Sequence, residues 1–580
     1  MSQYHIHFAG FGENILVDGG TVAEACRLAG HPLDLVCGGN GTCGKCDVTV
    51  ERRGAKEVVR ACTTAVDCDM TVFLPDAPAE VHILTGGEVA GSFVPMARKE
   101  YRPSSALEPE HCGAFLEKAP LGVLRRFSKL LRDRRDDGIT FVWFGSELLD
   151  VQPGDTSNTL FGCAVDIGTT TVAMYIYDLT TGILLDTLSA LNGQIGRGAD
   201  VIARIQHTTE SESGLAELNA DILSTVNALL KNAGEHIPAL AENLYHLVFC
   251  GNSTMQHLFL GLEPSALGVD PFANITAHGV TASAKELGLA VPECAAVDFL
   301  PLLGGFVGAD TTAVLLGIPQ DDKTYLAVDL GTNGEIAMGN GRKGFLTAST
   351  ACGPALEGGC IDCGMRGTAG AIDKLSITPD GQVEYHVLGG GEAKGLCGSG
   401  IIDTMAALLR AGLVDETGRL LSREEFEAEN PGSPLARRLG KLSEYNGVFY
   451  IAEGEKPVFL SQKDIRQIQL AKSSICAGCM TLATEYGIDV SAVDELILAG
   501  AFGNYIDIEN ALYIGLLPPV DRNKICPVGN GAGRGAQSCL LDKAVRARTE
   551  WLRAASSHLE LNTSLTFMDN YIDQMNFYIE

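Results

Sequence analysis

Four cysteines near the N-terminus, Cys37, Cys43, Cys46 and Cys62, stand in the spacing C-x5-C-x2-C-x15-C. Thiolates in such a set bind a soft metal or an iron–sulfur cluster. The residues between the first three are Gly38-Gly39-Asn40-Gly41-Thr42 and Gly44-Lys45. They are mostly small, so backbone N–H groups can turn toward sulfide and thiolate with no side chain in the way. Three ligands from one loop and a fourth from a later segment is the plant-type 2Fe-2S arrangement. A structural zinc site also uses four cysteines, but usually as two separated C-x2-C knuckles. Here a single C-x2-C follows a six-residue step, which favours iron–sulfur.

A second chemistry is written twice. Ala164-Val165-Asp166-Ile167-Gly168-Thr169-Thr170-Thr171 and Ala327-Val328-Asp329-Leu330-Gly331-Thr332-Asn333-Gly334 are both apolar strands ending in Asp-x-Gly-Thr. The glycine turn exposes backbone N–H groups to phosphate oxygens, and the Thr hydroxyls add donors. The aspartates hold magnesium, usually through its waters. One such loop is weak evidence; two facing loops grip a triphosphate. The copies stand about 160 residues apart, a spacing for two homologous lobes and too long for a solenoid.

Three further segments join this set. Leu496-Ile497-Leu498-Ala499 leads into Gly500-Ala501-Phe502-Gly503, placed where actin-like proteins carry a strand-to-glycine turn against adenosine. Gly398-Ser399-Gly400 opens a helix at Ile401 and offers its N-terminus to a nucleotide. Gly353-Pro354-Ala355-Leu356-Glu357-Gly358 comes after the second loop, with Glu357 as a contact to magnesium or to the attacking water. Asp166, Asp329 and Glu357 are therefore the expected catalytic residues. No residue stands out as the base that a sugar kinase uses on a hydroxyl.

These segments need a scaffold, and the chain reads as several domains. Residues 1–78 alternate as Tyr4 to Phe8 and Asn14 to Val17, then a helix from Val22, a strand from Cys46 and another from Met70. Strands plus one helix around a cysteine loop form a β-grasp ferredoxin domain. Residues 79–103 read as a linker. Residues 104–158 form a small α+β middle domain with a basic helix from Leu121 to Arg135 and a strand from Thr140 to Phe144. Residues 159–547 form a two-lobed ATPase domain, with lobes at 159–320 and 321–547, and a tail occupies 548–580. The fold class reads as α/β, and the large domain, with its paired Asp-x-Gly-Thr loops, resembles the duplicated RNase H-like, actin-like (ASKHA) unit.

Composition narrows the function. A net charge of −29, from 43 basic and 72 acidic residues, disfavours nucleic acid and anionic membrane surfaces as partners. The apolar run Phe299 to Pro319 is broken by Pro301, Gly304-Gly305 and Asp310, so it reads as strand, loop and buried helix and not as a membrane span. No basic-then-apolar leader opens the chain, so its 18 cysteines are expected as thiols or metal ligands in a cytoplasmic protein.

Together these residues carry a specific resemblance. Arg60-Ala61-Cys62-Thr63 is similar to the fourth-ligand segment of β-grasp ferredoxins, which selects Cys62 over Cys68, although the gap before it is shorter than in photosynthetic ferredoxins. With Gly251-Asn252-Ser253-Thr254-Met255, Asp329 to Glu335, Leu396 to Gly400, Gln462-Lys463-Asp464-Ile465-Arg466 and Gly500 to Gly503, most of the chain resembles the reductive activators of corrinoid-dependent methyltransferases. There is no cysteine after Cys539, which fits the subtype with an N-terminal 2Fe-2S domain. The resemblance implies ATP-dependent, one-electron reduction of Co(II) to Co(I) in a corrinoid protein of a methyltransferase system. It implies a 2Fe-2S cluster and ATP with Mg2+ as cofactors, a low-potential donor such as a ferredoxin or flavin reductase, and it allows a homodimer. A plant-type cluster sits near about −400 mV, Co(II)/Co(I) couples lie lower, and about 59 mV uphill costs about 1.4 kcal/mol per electron. ATP can cover a gap of that kind.

Other features read more blandly. Cys360/Cys363 and Cys476/Cys479 are C-x2-C pairs, of which the second lies in a helical run and reads as core. His5, His7, His246 and His257 show no metal spacing. Arg125, Arg126, Lys129, Arg132, Arg134 and Arg135 form a solvated helix face or a dock for an acidic partner. Three alternatives stay open: a small-molecule kinase with a regulatory cluster, a radical-type activator of another enzyme, and an ATPase-gated scaffold.

Overall fold

The computed structural model describes residues 3–11, 13–31, 33, 35, 39, 41, 46–74, 91–107, 116–133, 137–331, 333–443, 446–454, 456–500 and 505–577. The N-terminal unit is a five-stranded mixed sheet of β1 (Tyr4–Phe8), β2 (Glu13–Val17), β3 (Asp47–Arg52), β4 (Ala55–Arg60) and β5 (Met70–Phe73), in the β-grasp order β2-β1-β5-β3-β4. Alternation decides its faces: Ile6 and Phe8 point into the core while His5 and His7 face solvent. Helix α1 (Val22–Leu28) covers the inner face, capped by Thr21, whose hydroxyl accepts from the Glu24 N–H. Cys26 on α1 is fully buried, and burial pushes its thiol up to about 12.

A three-stranded antiparallel sheet comes next: β6 (Ala97–Arg102), β7 (Ile139–Phe144) and β8 (Glu147–Pro153), with α2 (Leu121–Asp133) against it. The expected linker thus ends in a strand. Its sequence, Ala-Arg-Lys-Glu-Tyr-Arg, hides this because a strand stabilised by pairing and polar anchors shows no apolar alternation. Lys99 Nζ donates to Thr159 O and Asn243 Oδ1 at 2.6 Å each, which fastens β6 to the next domain. On the same face the Tyr245 hydroxyl donates to Asp150 at 2.6 Å.

Each large lobe is built on a six-stranded sheet. The first contains β9 (Phe161–Ile167), β10 (Thr171–Asp178), β11 (Ile183–Leu191), β12 (Leu244–Gly251), β13 (Val280–Ser283) and β14 (Ala296–Phe299), ordered β11-β10-β9-β12-β14-β13. Around it lie α3 (Val201–Glu210), α4 (Gly214–His236), α5 (Ser253–Leu260) and α6 (Ala309–Leu316). The second contains β15 (Tyr325–Leu330), β16 (Gly334–Asn340) and β17 (Gly344–Thr350). Two three-stranded sheets branch from it, β18 (Ala371–Ile377), β19 (Val383–Val387), β20 (Gly395–Leu396) and β21 (Leu439–Ser443), β22 (Asn446–Ala452), β23 (Val458–Ser461). Strands β24 (Glu495–Ala499), β25 (Ile525–Gly529) and β26 (Ser557–His558) complete the second large sheet, ordered β25-β24-β15-β16-β17-β26. In both lobes the Asp-x-Gly-Thr loop joins the first strand to its antiparallel neighbour, and a parallel strand pairs on the other side.

Helices α7 (Gly398–Arg410) and α8 (Gln462–Tyr486) carry the second core. A Ser461/Asp464 capping box starts α8 and Gly487, in the left-handed region at φ 85°, ends it. Cys476 and Cys479 are buried along it.

The chain then crosses back. Helix α9 (Gly531–Leu541) packs on β9, β12 and α6, so Ala532, Ala536, Cys539 and Leu540 belong to the core of the first lobe. The expected second lobe at 321–547 is therefore interrupted, because the apolar face of α9 completes the other sheet. The expected tail boundary at 548 falls inside α10 (Lys543–Ala555). The segment beyond α10 is integral to the second lobe: β26 joins β17, and α11 (Leu565–Asp573) packs on α8. Lys472 on α8 is fully buried, and its ammonium donates to the carbonyls of Gln574 at 2.5 Å and Asn576 at 2.7 Å. Burial pushes it down to about 8. No helix among the described residues is long and apolar enough to cross a membrane.

Candidate functional site

The first loop is held from behind. Gly168 N–H donates to Thr171 O at 3.0 Å, and a Cβ on Gly168 would lie 2.7 Å from that oxygen, so the turn needs glycine. Asn192 grips the loop twice, its side chain donating to Gly168 O and its N–H to Thr170 O, both at 2.9 Å. Asn252, the N-cap of α5, donates to Thr169 Oγ1 at 3.0 Å. Arg204 is wholly buried on α3 and donates to the carbonyls of Thr169 and Gly198 and to Gln194 Oε1. With its carbonyls satisfied from below and the Gly168 N–H closing the turn, the loop keeps the N–H groups after Gly168 and its hydroxyl protons for a ligand above.

Asp166 is the penultimate residue of β9, half-buried at the strand's end. Burial pushes it up to about 6, opposed by hydrogen bonds from Asn530 Nδ2 at 3.0 Å and the Cys250 thiol at 3.8 Å. Asp310, in the first turn of α6, is raised to about 7 by burial and then by Asp166. Asp329 ends β15 and is raised to about 8 by burial and then by Asp310 and Asp166. Glu335 pairs directly across from Asp329 on β16 and is pushed well above the carboxylate range by burial and by Asp310 and Asp329. Four carboxylates from two lobes thus share one volume. No salt bridge to a cation reaches any of them among the described residues. Burying several like charges together is costly unless they are protonated or meet a cation. Their oxygens are the hard donors that Mg2+ takes, but no three such side chains among the described residues stand close enough to ligate one ion directly, so the set suits contact through the ion's waters.

The other expected residues distribute around this centre. In the second loop Gly331 N–H donates to Asn333 O at 3.1 Å, and the Cys352 thiol donates to Gly331 O at 3.3 Å. Gly500 has φ +98°, and a Cβ there would lie 2.5 Å from Leu330 O and 2.8 Å from Asp329 Oδ1, so β24 delivers its glycine turn against the second aspartate. Glu357, at the end of the 3-10 turn Pro354–Glu357, lies close enough to Glu335 to raise it further. Gly398, Ser399 and Gly400 open α7 as expected, but this helix start is buried against β18. A Cβ on Gly400 would lie 2.1 Å from Ile372 O, so this glycine serves packing. Thr332, Ala501, Phe502 and Gly503 lie outside the described residues.

Cys37 and Cys43 also lie outside the described residues. Cys46 directly precedes β3 and Cys62 stands two positions past the end of β4, on either side of the terminal rung Asp47↔Arg60. Ala61 N–H donates to Cys46 O at 3.2 Å, so the two cysteine segments are tied together. Arg60 donates to Gly41 O and pairs with Asp47 at 3.1 Å, drawing the glycine loop down onto this edge. Gly41 has φ +71°, and a Cβ there would lie 2.7 Å from the Thr63 methyl. Two cysteine segments tied together beside a glycine at positive φ fit one side of a 2Fe-2S site.

The two C-x2-C pairs do not meet. The Cys360 thiol contacts Gln467 near the start of α8, whereas Cys476 contacts Gln574 nine residues further along. That is about 13 Å of helix.

Sequence reasoning missed Asp310, Asn530, Cys250, Asn192 and Arg204. Asp310 was visible only as a charge interrupting an apolar run. The others act through folding, from segments as far as residue 530. Glu335 stands inside a motif that gives it no role until β15 and β16 pair.

Two family models cover the large domain. Residues 161–321 match the family described as the RACo middle region, and residues 323–580 match the C-terminal domain of RACo, the ASKHA domain. The corrinoid activation enzyme RamQ of Eubacterium limosum is 38% identical over 570 residues, covering 95% of this chain and 95% of that protein. The Co(II) methylated amine-specific corrinoid protein reductase of Methanosarcina barkeri is 24% identical over 460 residues, covering 73% of this chain and 78% of that protein. The solved structure of a reductive activator for a corrinoid, iron–sulfur protein superposes with a TM-score of 0.73 at 29% identity, covering 99% of this chain and 98% of that one.

Proposed function

This chain belongs to the reductive activators of corrinoid proteins, the family of RACo, and we propose that it couples ATP hydrolysis to the one-electron reduction of a Co(II) corrinoid protein to Co(I). The observation that carries the proposal is the carboxylate group Asp166, Asp310, Asp329 and Glu335 between two phosphate loops from different lobes. A triphosphate with its metal supplies the positive charge these carboxylates lack, and it binds both lobes at once. Binding therefore draws the lobes together, and hydrolysis releases them.

Asp166 and Asp329 would hold the metal through its waters, with Asp310 and Glu335 beside them. Glu335, with its proton affinity raised, and Glu357 position the attacking water. Backbone N–H groups after Gly168 in the first loop and after Gly331 in the second would receive the phosphates. Cys37, Cys43, Cys46 and Cys62 would hold the 2Fe-2S cluster, which supplies a one-electron carrier when bound. Arg60 fixes the glycine loop over that site. The electron donor in this reading is a low-potential ferredoxin or flavin reductase, and the protein is cytoplasmic.

The test is anaerobic. The chain is reconstituted with iron and sulfide and mixed with a Co(II) corrinoid protein and a low-potential reductant, with and without Mg-ATP. Co(I) absorbance that appears only with Mg-ATP and is lost in Cys62→Ser and in Asp329→Asn supports the proposal. ATP hydrolysis with an intact cluster and no Co(I) from any corrinoid partner contradicts it.

A further inference from the structure

The first phosphate loop is also connected to the N-terminal unit, by a short continuous path. At one end, Val22 N–H donates to Thr64 O at 2.9 Å and Ala23 N–H to Ala61 O at 3.0 Å. The start of α1 is therefore fastened to the segment that bears Cys62. One turn on, Arg27 reaches out of the N-terminal unit to the first lobe. Its Nη1 lies 3.4 Å from Asp221 Oδ1 on α4, and both side chains are mostly buried. Arg27 also lies over the 3-10 turn Gly193–Gly196, where a Cβ on Gly196 would sit 2.8 Å from its Cδ. The missing Cβ at Gly196 gives Arg27 room to lie there.

The far side of the same turn holds the phosphate loop. Asn192, its N-cap, makes the two hydrogen bonds to Gly168 O and Thr170 O. Gln194 within the turn accepts from Arg204, which holds Thr169 O. Arg197, which closes the turn, takes the second oxygen of Asp221 at 2.6 Å. A four-residue element thus has loop carbonyls on one face and the docking seat of α1 on the other. It is too short and too fully hydrogen-bonded to absorb a displacement at one face without passing it to the other.

We propose that the turn Gly193–Gly196 couples nucleotide binding at the first loop to docking of the N-terminal unit, with Arg27 as the positioning residue. The inference rests on the reading of that loop as a nucleotide site and of the N-terminal unit as the electron-carrying one. Phosphate drawn onto the N–H groups of Thr169 to Thr171 shifts the carbonyls that Asn192 and Arg204 hold. The seat at Gly196 and Asp221 moves with them, and the grip on α1 changes. Coupling of this kind is reciprocal. Docking of α1 must therefore alter nucleotide affinity, although Arg27 touches no part of the loop.

Hydrogen exchange on the full reconstituted chain tests this, with and without Mg2+ and the non-hydrolysable analogue AMPPNP, in the wild type, Arg27→Ala, Arg27→Lys and Asp221→Asn. In the wild type, nucleotide is expected to change exchange across residues 20–31 as well as across the first loop. In Arg27→Ala the response at α1 disappears while the loop's own response remains, and AMPPNP affinity changes by about two- to fivefold. Arg27→Lys restores part of the α1 response. Asp221→Asn repeats the loss from the other side of the contact, which covers the case in which Arg27→Ala fails to fold. An α1 response absent from the wild type, or unchanged in Arg27→Ala and Asp221→Asn, overturns the coupling and leaves the proposed function standing. No binding of AMPPNP to the wild type overturns both.

Discussion

The two phosphate loops have nearly the same sequence and opposite surroundings. The carboxylate of Asp166 accepts from Asn530, and its loop is strapped by Asn192, Asn252 and Arg204. Asp329 accepts no hydrogen bond from a described residue. It faces Glu335 across the strand pair and lies beside Asp310, and it is raised to about 8 where Asp166 reaches about 6. The first loop is tied down by hydrogen bonds. The second gathers like charges with no cation beside them among the described residues. On the proposed function, the first lobe is the platform and the second the part that responds.

The most severe way to break this asymmetry is Asp329→Asn. Mg-ATP turnover should fall by about two orders of magnitude or more. At the same time the metal-free chain should melt higher than wild type, because folding no longer has to protonate or bury that carboxylate. Asp166→Asn should cost turnover with little gain in melting temperature, since it forfeits the bond from Asn530. Paired thermal melts and ATPase assays separate the two. Equal melting gains in both variants would erase the distinction.

Arg204→Met tests the platform. It leaves the carbonyls of Thr169 and Gly198 without a donor, at a cost of about 2–4 kcal/mol. Chemical denaturation should show that loss, and ATP affinity should fall with it. A cost under about 0.5 kcal/mol would mean that the loop needs no strap.

A gentler test uses pH. Carboxyls raised by folding bind their protons more tightly in the folded chain, so their contribution to stability is whole below about pH 4 and is lost as pH rises toward about 8. The metal-free chain should therefore lose melting temperature between about pH 5 and about pH 8, whereas the gain on adding Mg-ATP should grow over the same range. A Mg-ATP gain that is flat with pH would contradict the charge argument.

The smallest change sharpens the comparison most directly. Asn530→Ala removes the hydrogen bond that holds Asp166 below its neighbours, worth about 1 kcal/mol. Asp166→Asn in that background should then raise the melting temperature as Asp329→Asn does in the wild type. If it does not, Asn530 is not the source of the difference.

Much of this was legible in the sequence because it is local. Asp-x-Gly-Thr after an apolar strand names its own geometry, and so do the cysteine spacing and the alternation of Tyr4 to Phe8. The supporting residues were not legible. Arg204 and Asn192 look like ordinary helix and loop residues until the chain brings them under Gly168. Asn530 and α9 return to the first lobe from beyond the second, so cutting the chain at one lobe boundary misassigns them. The strand Ala97–Arg102 and the segment after 548 escape a sequence reading for a related reason. Lys99 and Lys472 are anchored by carbonyls and an amide, and that kind of anchoring leaves no periodic pattern.

The central claim is that one chain carries both the electron and the ATP that releases it. A single-turnover experiment puts it to the most direct test. The reconstituted chain is reduced, freed of excess reductant, and mixed in a stopped-flow cell with a Co(II) corrinoid protein, with or without Mg-ATP. The account predicts that cluster reoxidation and Co(I) formation rise together, one for one, only when Mg-ATP is present. Co(I) formed equally well without Mg-ATP, or ATP hydrolysed while the cluster stays reduced, would contradict it.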